Sequence, residues 1–343
     1  MSKTSYPFVS IVVCTFNRSN RLNPCLKSLR EQTYPRDRYE IIVVDDGSTD
    51  STLQTIEKEG VNLIHHEKNK GIPAARNSGI AAAKGEIVAF IDDDAVADPH
   101  WLEHLMLPFE DPTVGASGGK TLAIKTDRLT ERYLLADEYG NPASVTFGES
   151  KNSLWRFFMY LKTMFAPVSF TTKPTEVQAV FGLNCAYRTV LLRTLGGFDE
   201  TLLGDEDSEL SVRFRVHGAR IIFIPTAIIH HHHRESLIKL IRQTYYRAES
   251  TFHAYRKEKK SLPIFPLPVL YIIISICLLI AWPMIGFLFI ILGPLLLYSW
   301  WLIRGMREHT LEYVVYPYIQ LSLELTLILG LARGGFRSIM NLQ

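Results

Sequence analysis

Three groups of residues in this chain are of types and spacings that do chemistry. Asp92-Asp93-Asp94 follow the apolar run Ile87-Val88-Ala89-Phe90-Ile91 without a break, and Asp45-Asp46 follow Ile41-Ile42-Val43-Val44 in the same way. Carboxylates this close raise one another's pKa, and a divalent cation is the natural means of holding three together. Hard oxygen ligands suit Mg²⁺ or Mn²⁺, ions that keep positions open for a substrate's phosphates. A second acidic segment, Gly204-Asp205-Glu206-Asp207-Ser208-Glu209-Leu210, lies far downstream. The third group is His230-His231-His232-His233, which follows Ile228-Ile229. If that run ends a strand, alternate histidines point to opposite faces and at most two can face one site. Each group also has an ordinary reading: solvated loop acids, a helix N-terminus, and a solvated polar run.

The elements that must position these groups are legible around them. Phe8 to Cys14, Glu40 to Val44, Val61 to Ile64 and Gly85 to Ile91 are short, mostly β-branched runs, with helix-like sequence between the first two and an alanine-rich helix over Ile72 to Ala83. This alternation predicts βαβ units and an α/β, mostly parallel sheet covered by helices. Ligands of such sheets bind beyond the carboxyl ends of the strands, the edge on which both upstream acid groups lie. Further on, a helix is expected around Val190 to Leu195 and a strand over Arg220 to Ile224. Leu154 to Leu161 is an aromatic-rich stretch of helical length, readable as a core helix or as an element resting at a membrane interface.

Composition narrows the partners. Lys and Arg total 37 against 35 Asp and Glu, so the chain lacks the basic excess that binding a nucleic-acid backbone requires. The four scattered cysteines form no pairing framework and are read as reduced thiols. Ile264 to Ile303 contains no charged residue and no histidine. A helix of about 40 residues would measure about 60 Å, twice a hydrocarbon core of about 30 Å, so two spans are expected, near 264–282 and 284–303. Arg256-Lys257-Glu258-Lys259-Lys260 before them and Arg304 and Arg307 after them suit a cytoplasmic flank. A third apolar stretch, 313–332, carries Glu324 near its middle, which is costly in lipid unless paired, so an interfacial or re-entrant helix is its other reading. The expected organisation is a cytoplasmic domain over 1–260 and a multi-pass membrane domain over 261–343. The short apolar run near the N-terminus is too brief for a cleaved secretory signal.

In order and spacing, Val9 to Arg18, Val43-Val44-Asp45-Asp46-Gly47-Ser48-Thr49-Asp50, Gly71-Ile72-Pro73-Ala74-Ala75-Arg76-Asn77 and Phe90 to Asp94 resemble the family 2 glycosyltransferases of the GT-A fold. Phe181-Gly182-Leu183-Asn184, Gly197-Phe198-Asp199 and Glu206 to Arg213 continue the resemblance, which covers roughly the first 235 residues. It implies a GT-A nucleotide-diphospho-sugar transferase fold and assigns roles residue by residue. Phe16 would stack on the nucleotide base, with Thr15 and Asn17 lining the pocket; its alternative is a core aromatic. Asp46, or Asp45, would accept a hydrogen bond from the base edge, or cap a helix. Arg76 would reach the phosphates or ribose, or form a structural salt bridge. Asp93 would contact the ribose, and Asp94 would bind the Mg²⁺ or Mn²⁺ that bridges the diphosphate, with His230 completing the metal shell and His232 the next choice. Asp207 would be the general base, steadied by Glu206.

The departures from the family's better-known branches matter as much. Membrane polysaccharide synthases carry a Gln-x-x-Arg-Trp signature, and the nearest segment here, Gln243-Thr244-Tyr245-Tyr246-Arg247, has the wrong spacing and no Trp. Processive polymer extrusion is therefore disfavoured. The resemblance points instead to inverting transfer of a single sugar from a nucleotide-sugar donor to a lipid-linked saccharide or glycolipid. Transfer directly to polyprenyl phosphate, or a catalytically silent membrane scaffold, are the alternatives.

Overall fold

The computed structural model describes residues 6–124, 127–137, 152–165, 172–202, 204–232, 236–257, 262 and 265–340. Its strands are β1 (Val9–Thr15), β2 (Tyr39–Asp45), β3 (Asn62–His65), β4 (Ile87–Asp92), β5 (Ala95–Ala97), β6 (Val114–Ala123), β7 (Thr175–Glu176), β8 (Asn184–Arg188) and β9 (Arg220–His231). The helices are α1 (Ser19–Arg30), α2 (Thr52–Lys58), α3 (Ile72–Ala82), α4 (Trp101–Met106), α5 (Leu129–Ala136), α6 (Ser153–Phe165), α7 (Thr189–Thr194) and α8 (Glu206–Val216), then α9 (Leu237–Lys257), α10 (Pro266–Ala281), α11 (Pro283–Leu297), α12 (Trp300–Glu308) and α13 (Tyr316–Ile339). Contacts divide the chain into two compact units. One holds 1–126, 138–145 and 170–233; the other holds 127–137, 146–169 and 234–343.

The first unit is built on one sheet in the order β3-β2-β1-β4-β8-β6-β9-β5, with β7 on β9. The first four strands are parallel, and β8 enters antiparallel between β4 and β6, so the sheet is mixed beyond the parallel half that the βαβ pattern marks out. Both faces are covered, which is why the strands read as continuous apolar runs. Ile11, Val13, Ile41, Val43, Ala89 and Ile91 pack with α1 and α4, while Val12, Ile42, Val44, Val88 and Phe90 pack with α3, Phe198 and Phe214. Each large apolar side chain so buried is worth about 1.5–3 kcal/mol. Register then delivers the acids: Cys14 of β1 pairs with Val44 and with Asp92, and Thr15 with Asp45, so one sheet edge collects the strand-end carboxylates.

The second unit contains α5, α6 and α9 to α13. Tyr133, Trp301, Tyr313 and Tyr316 form an aromatic cluster, with ring centroids 4.7–5.7 Å apart. The charge-free run folds as α10 and α11, of 16 and 15 residues, broken at Trp282. These helices are shorter than the two spans expected near 264–282 and 284–303. At 1.5 Å per residue the arms reach only about 24 and 22 Å, because Pro283 can start a helix but not continue one. Among the described residues, one helix is long and apolar enough by itself to cross a membrane, α13, in the region expected as a third stretch; α11 and α12 pass the same test only if taken together across a 61° bend. Glu324 is buried within α13 and accepts hydrogen bonds from Tyr160 (2.7 Å), Tyr298 (3.0 Å) and Gln320 (2.8 Å). Glu258-Lys259-Lys260 of the basic flank, and His233, lie outside the described residues.

Candidate active site

The site grows from the turn that ends β4. Asp92 closes the strand, Asp93 and Asp94 form the turn, and the chain returns as β5, which pairs antiparallel with the end of β9. That pairing sets Ala95 opposite His231, and the His232 N–H donates to the Asp94 carbonyl at 3.2 Å. His231 Nε2 then lies 2.9 Å from Asp94 and 3.8 Å from Asp92. His230, the expected ligand, points the other way, as strand alternation demands, and meets Asp98 at 3.0 Å. The histidine that the structure brings beside the acids is thus His231, one residue along from the expected His230. Asp92, Asp94 and His231 each present a ligand atom within 4.8 Å of the others. Two carboxylates and one imidazole are a donor set suited to a divalent cation.

Cations already surround Asp94. Arg18 reaches it at 3.1 Å and Arg21 at 3.5 Å from the loop before α1 and its first turn. Burial alone would raise its pKa, but the hydrogen bond and charge of His231, with the two arginines, hold it well below the ordinary carboxylate range. Asp93 faces elsewhere. It is buried, accepts a 2.6 Å hydrogen bond from Thr15, and is pushed up to about 7, chiefly by burial and also by the Asp94 charge. Adjacent carboxyls with opposed environments are thus held in opposite protonation preferences.

Arg76 ties this cluster to the downstream acids. It rises from α3 and is buried, with its guanidinium 5.2 Å from the centre of the Phe198 ring; Nη1 donates to Glu206 at 2.6 Å, and Nη2 lies 3.8 Å from Asp92. A Cβ at Gly182 would collide with that guanidinium, so glycine is what leaves room for it. Arg76 bridges the two acid groups. Its own pKa is raised, since the charges of Glu206 and Asp92 outweigh burial, whereas burial, against Arg76, raises Glu206. Asp207 sits in the first turn of α8, where its carboxylate accepts the Gly182 N–H (2.9 Å) and the Ser208 N–H (2.8 Å).

The other expected residues fall as follows. Phe16, just past the end of β1, is 41% exposed and so is not a core aromatic. Asn17, with φ 54°, spends its side chain on the Thr49 and Asp50 N–H groups and so clamps the loop after β2. Asp46 is buried and accepts the Lys70 and Gly71 N–H groups at 3.0 and 2.9 Å, while His66 Nδ1 lies 2.7 Å away. Asp45 caps the turn through Ser48 and meets His65. The Cys14 thiol is pushed up to about 12 by burial, with Arg76 opposing and Asp92 adding to the shift. Sequence reasoning gave no role to Arg18, Arg21 or His66. The two arginines, three residues apart at a strand-to-helix turn, are the one available signal; His66 offers none.

A mixed sheet flanked by helices, with acids at the carboxyl ends of its strands, is the GT-A-like architecture of nucleotide-sugar transferases. The comparisons agree and narrow the class: residues 10–172 match the family described as Glycosyl transferase family 2. A pre-mycofactocin glycosyltransferase of Mycobacterium tuberculosis is 30% identical over 269 residues, 77% of this chain and 51% of that protein. This chain therefore spans about half the length of that relative. An enzyme of Methanococcus voltae named dolichyl N-acetyl-alpha-D-glucosaminyl phosphate 3-beta-D-2,3-diacetamido-2,3-dideoxy-beta-D-glucuronosyltransferase is 25% identical over 78% of this chain and 81% of its own. Among solved structures, the mannosyltransferase PcManGT from Pyrobaculum calidifontis, in complex with GDP-Man and Mn²⁺, aligns with a TM-score of 0.59 at 20% identity, over 96% of this chain and 88% of that one. The chain belongs to the family 2 glycosyltransferases.

Proposed function

We propose that this chain is an inverting, divalent-metal-dependent glycosyltransferase that moves a single sugar from a nucleotide-diphosphate donor to a membrane-held acceptor, working at the cytoplasmic face. The observation that carries the reading is the continuous set Asp94–His231–Asp92–Arg76–Glu206, which joins a metal-type cluster to the helix turn bearing Asp207. A bound Mn²⁺ or Mg²⁺ supplies charge neutralisation at the leaving diphosphate. Asp92, Asp94 and His231 are the residues that would hold it, with Arg18 and Arg21 on the same side for the donor's phosphates. Phe16 stacks on the base, and Asp46, with Thr15 and Asn17 nearby, shapes the base pocket. Asp93 contacts the ribose. Asp207 takes the proton from the acceptor hydroxyl as that oxygen attacks the anomeric carbon, and direct displacement inverts the centre. Glu206 keeps Arg76 between the two acid groups. The acceptor class draws support from the name of the Methanococcus relative and from the apolar second unit.

The reading is tested by supplying detergent-solubilised protein with radiolabelled UDP-, GDP- and dTDP-sugars and a polyprenyl-linked saccharide extract, then counting label in the organic phase. Transfer from one donor class, abolished by EDTA and restored by Mn²⁺, is expected. No transfer and no donor binding by folded protein would favour the silent scaffold.

A further inference from the structure

The second unit poses its own problem. Its charge-free hairpin is too short to cross a bilayer, and its long apolar helix is tied to polar partners from end to end. In the hairpin, the Tyr271 ring stacks on Phe289 at 5.9 Å and its hydroxyl donates to the Ile290 carbonyl at 2.9 Å, so α10 and α11 are antiparallel and closed on each other. The turn is apolar and outward facing: Ile280, Trp282 (61% exposed) and Met284 (88% exposed) crown it, and it holds no charged residue. A loop that emerges into water on the far side has no reason to present such residues. At the turn, the Trp282 N–H donates to the Leu278 carbonyl, its own carbonyl accepts from Gly286, and Pro283 has no N–H to satisfy.

Along α13, by contrast, polar groups recur at both ends and the middle. Arg132 pairs with Glu312 just before it at 2.6 Å, Glu324 is held at its centre by Tyr160 and Tyr298, and Arg333 and Arg337 both reach Glu249 of α9, at 3.3 and 2.8 Å. A Cβ at Gly330 would strike the backbone of Tyr245, so α9 and α13 are in direct backbone contact there. α9 carries Lys239, Arg242, Arg247, Glu249 and Arg256 along its length, charges that a hydrocarbon core rejects. The half of α13 lying on α9 must sit at the same depth as α9, which is the water-facing surface.

We infer that the second unit is a monotopic membrane seat: the α10–α11 hairpin enters one leaflet of phospholipid and turns back within it, while α13 lies flat at the interface on α9. Arg256 and Met340 are then on the same side of the bilayer. This rests on the membrane-associated reading above, and its failure is separable from the failure of that reading.

The test is impermeant-maleimide labelling of the full chain in intact and inverted membrane vesicles, in a Cys277→Ala background with that parent as the blank. Arg256→Cys and Met340→Cys are expected to label from one and the same side, and Met284→Cys from neither side until detergent is added. Labelling of Met284→Cys from the side opposite Arg256→Cys would overturn the inference in favour of two full spans. Labelling of Met340→Cys from the opposite side would overturn it in favour of a spanning α13. A parent chain released into the soluble fraction by an alkaline carbonate wash would instead remove the membrane reading itself.

Discussion

Asp94 at the sheet edge and Glu324 in the helical unit are both buried carboxylates, and they are satisfied by different means. At the sheet edge, Asp94 faces His231, Arg18 and Arg21, and Glu206 faces Arg76, so each anion is held by a cation. In the helical unit, Glu324 is held by two tyrosine hydroxyls and a glutamine amide, all neutral. A carboxylate held by cationic side chains can exchange them for a metal ion and a diphosphate, because the charges that move aside are themselves phosphate ligands. A carboxyl wrapped in neutral, packed donors has nothing to exchange and fixes the helices that supply them. The first arrangement suits the proposed site and the second a structural lock.

The difference can be broken or sharpened by substitution. The largest effect belongs to Asp207→Asn: the amide keeps an oxygen for the Gly182 N–H but accepts no proton, and turnover is expected to fall about 10²- to 10⁴-fold with donor affinity retained, read by initial rates beside calorimetric titration. Next is Glu206→Ala, which strands the buried Arg76 guanidinium; unfolding in denaturant should show a loss of about 3–5 kcal/mol, and an unchanged midpoint would mean the bridge is unimportant. A paired test follows. His231→Ala should weaken Mn²⁺-dependent nucleotide binding about 10- to 100-fold, whereas His230→Ala, which touches Asp98 instead, should leave it alone. The smallest change is Glu324→Gln, expected to cost about 1–3 kcal/mol of stability and to leave nucleotide binding untouched, since the remaining oxygen still accepts from both tyrosine hydroxyls and only the Gln320 amide loses its acceptor.

Much of the sheet was legible in the sequence. Four apolar runs lie within a residue or two of β1 to β4, and the acids that follow Val44 and Ile91 do fall on one edge, because parallel pairing in register leaves no other place for them. Direction at long range was not legible. His230 and His231 differ only in which face of β9 they occupy, and that is fixed by pairing with β5 and by register shifts between β6 and β9, neither of which has a local signal. Arg76 lies on a readable helix, yet Phe198, Gly182 and Glu206, more than a hundred residues away, decide where it points. The apolar run was equally plain as composition. Its division at Trp282 into arms too short to cross, and the non-local partners of Glu324, emerge only from packing.

The most direct test of a metal-dependent nucleotide site at the sheet edge is calorimetric titration of the wild-type, His231→Ala and His230→Ala proteins with UDP, GDP, dTDP and CDP, each with and without Mn²⁺. The expected result is tight binding of one nucleoside diphosphate by wild type and His230→Ala, only with Mn²⁺, and its loss in His231→Ala. Binding that ignores Mn²⁺, or that survives in His231→Ala and fails in His230→Ala, would contradict it.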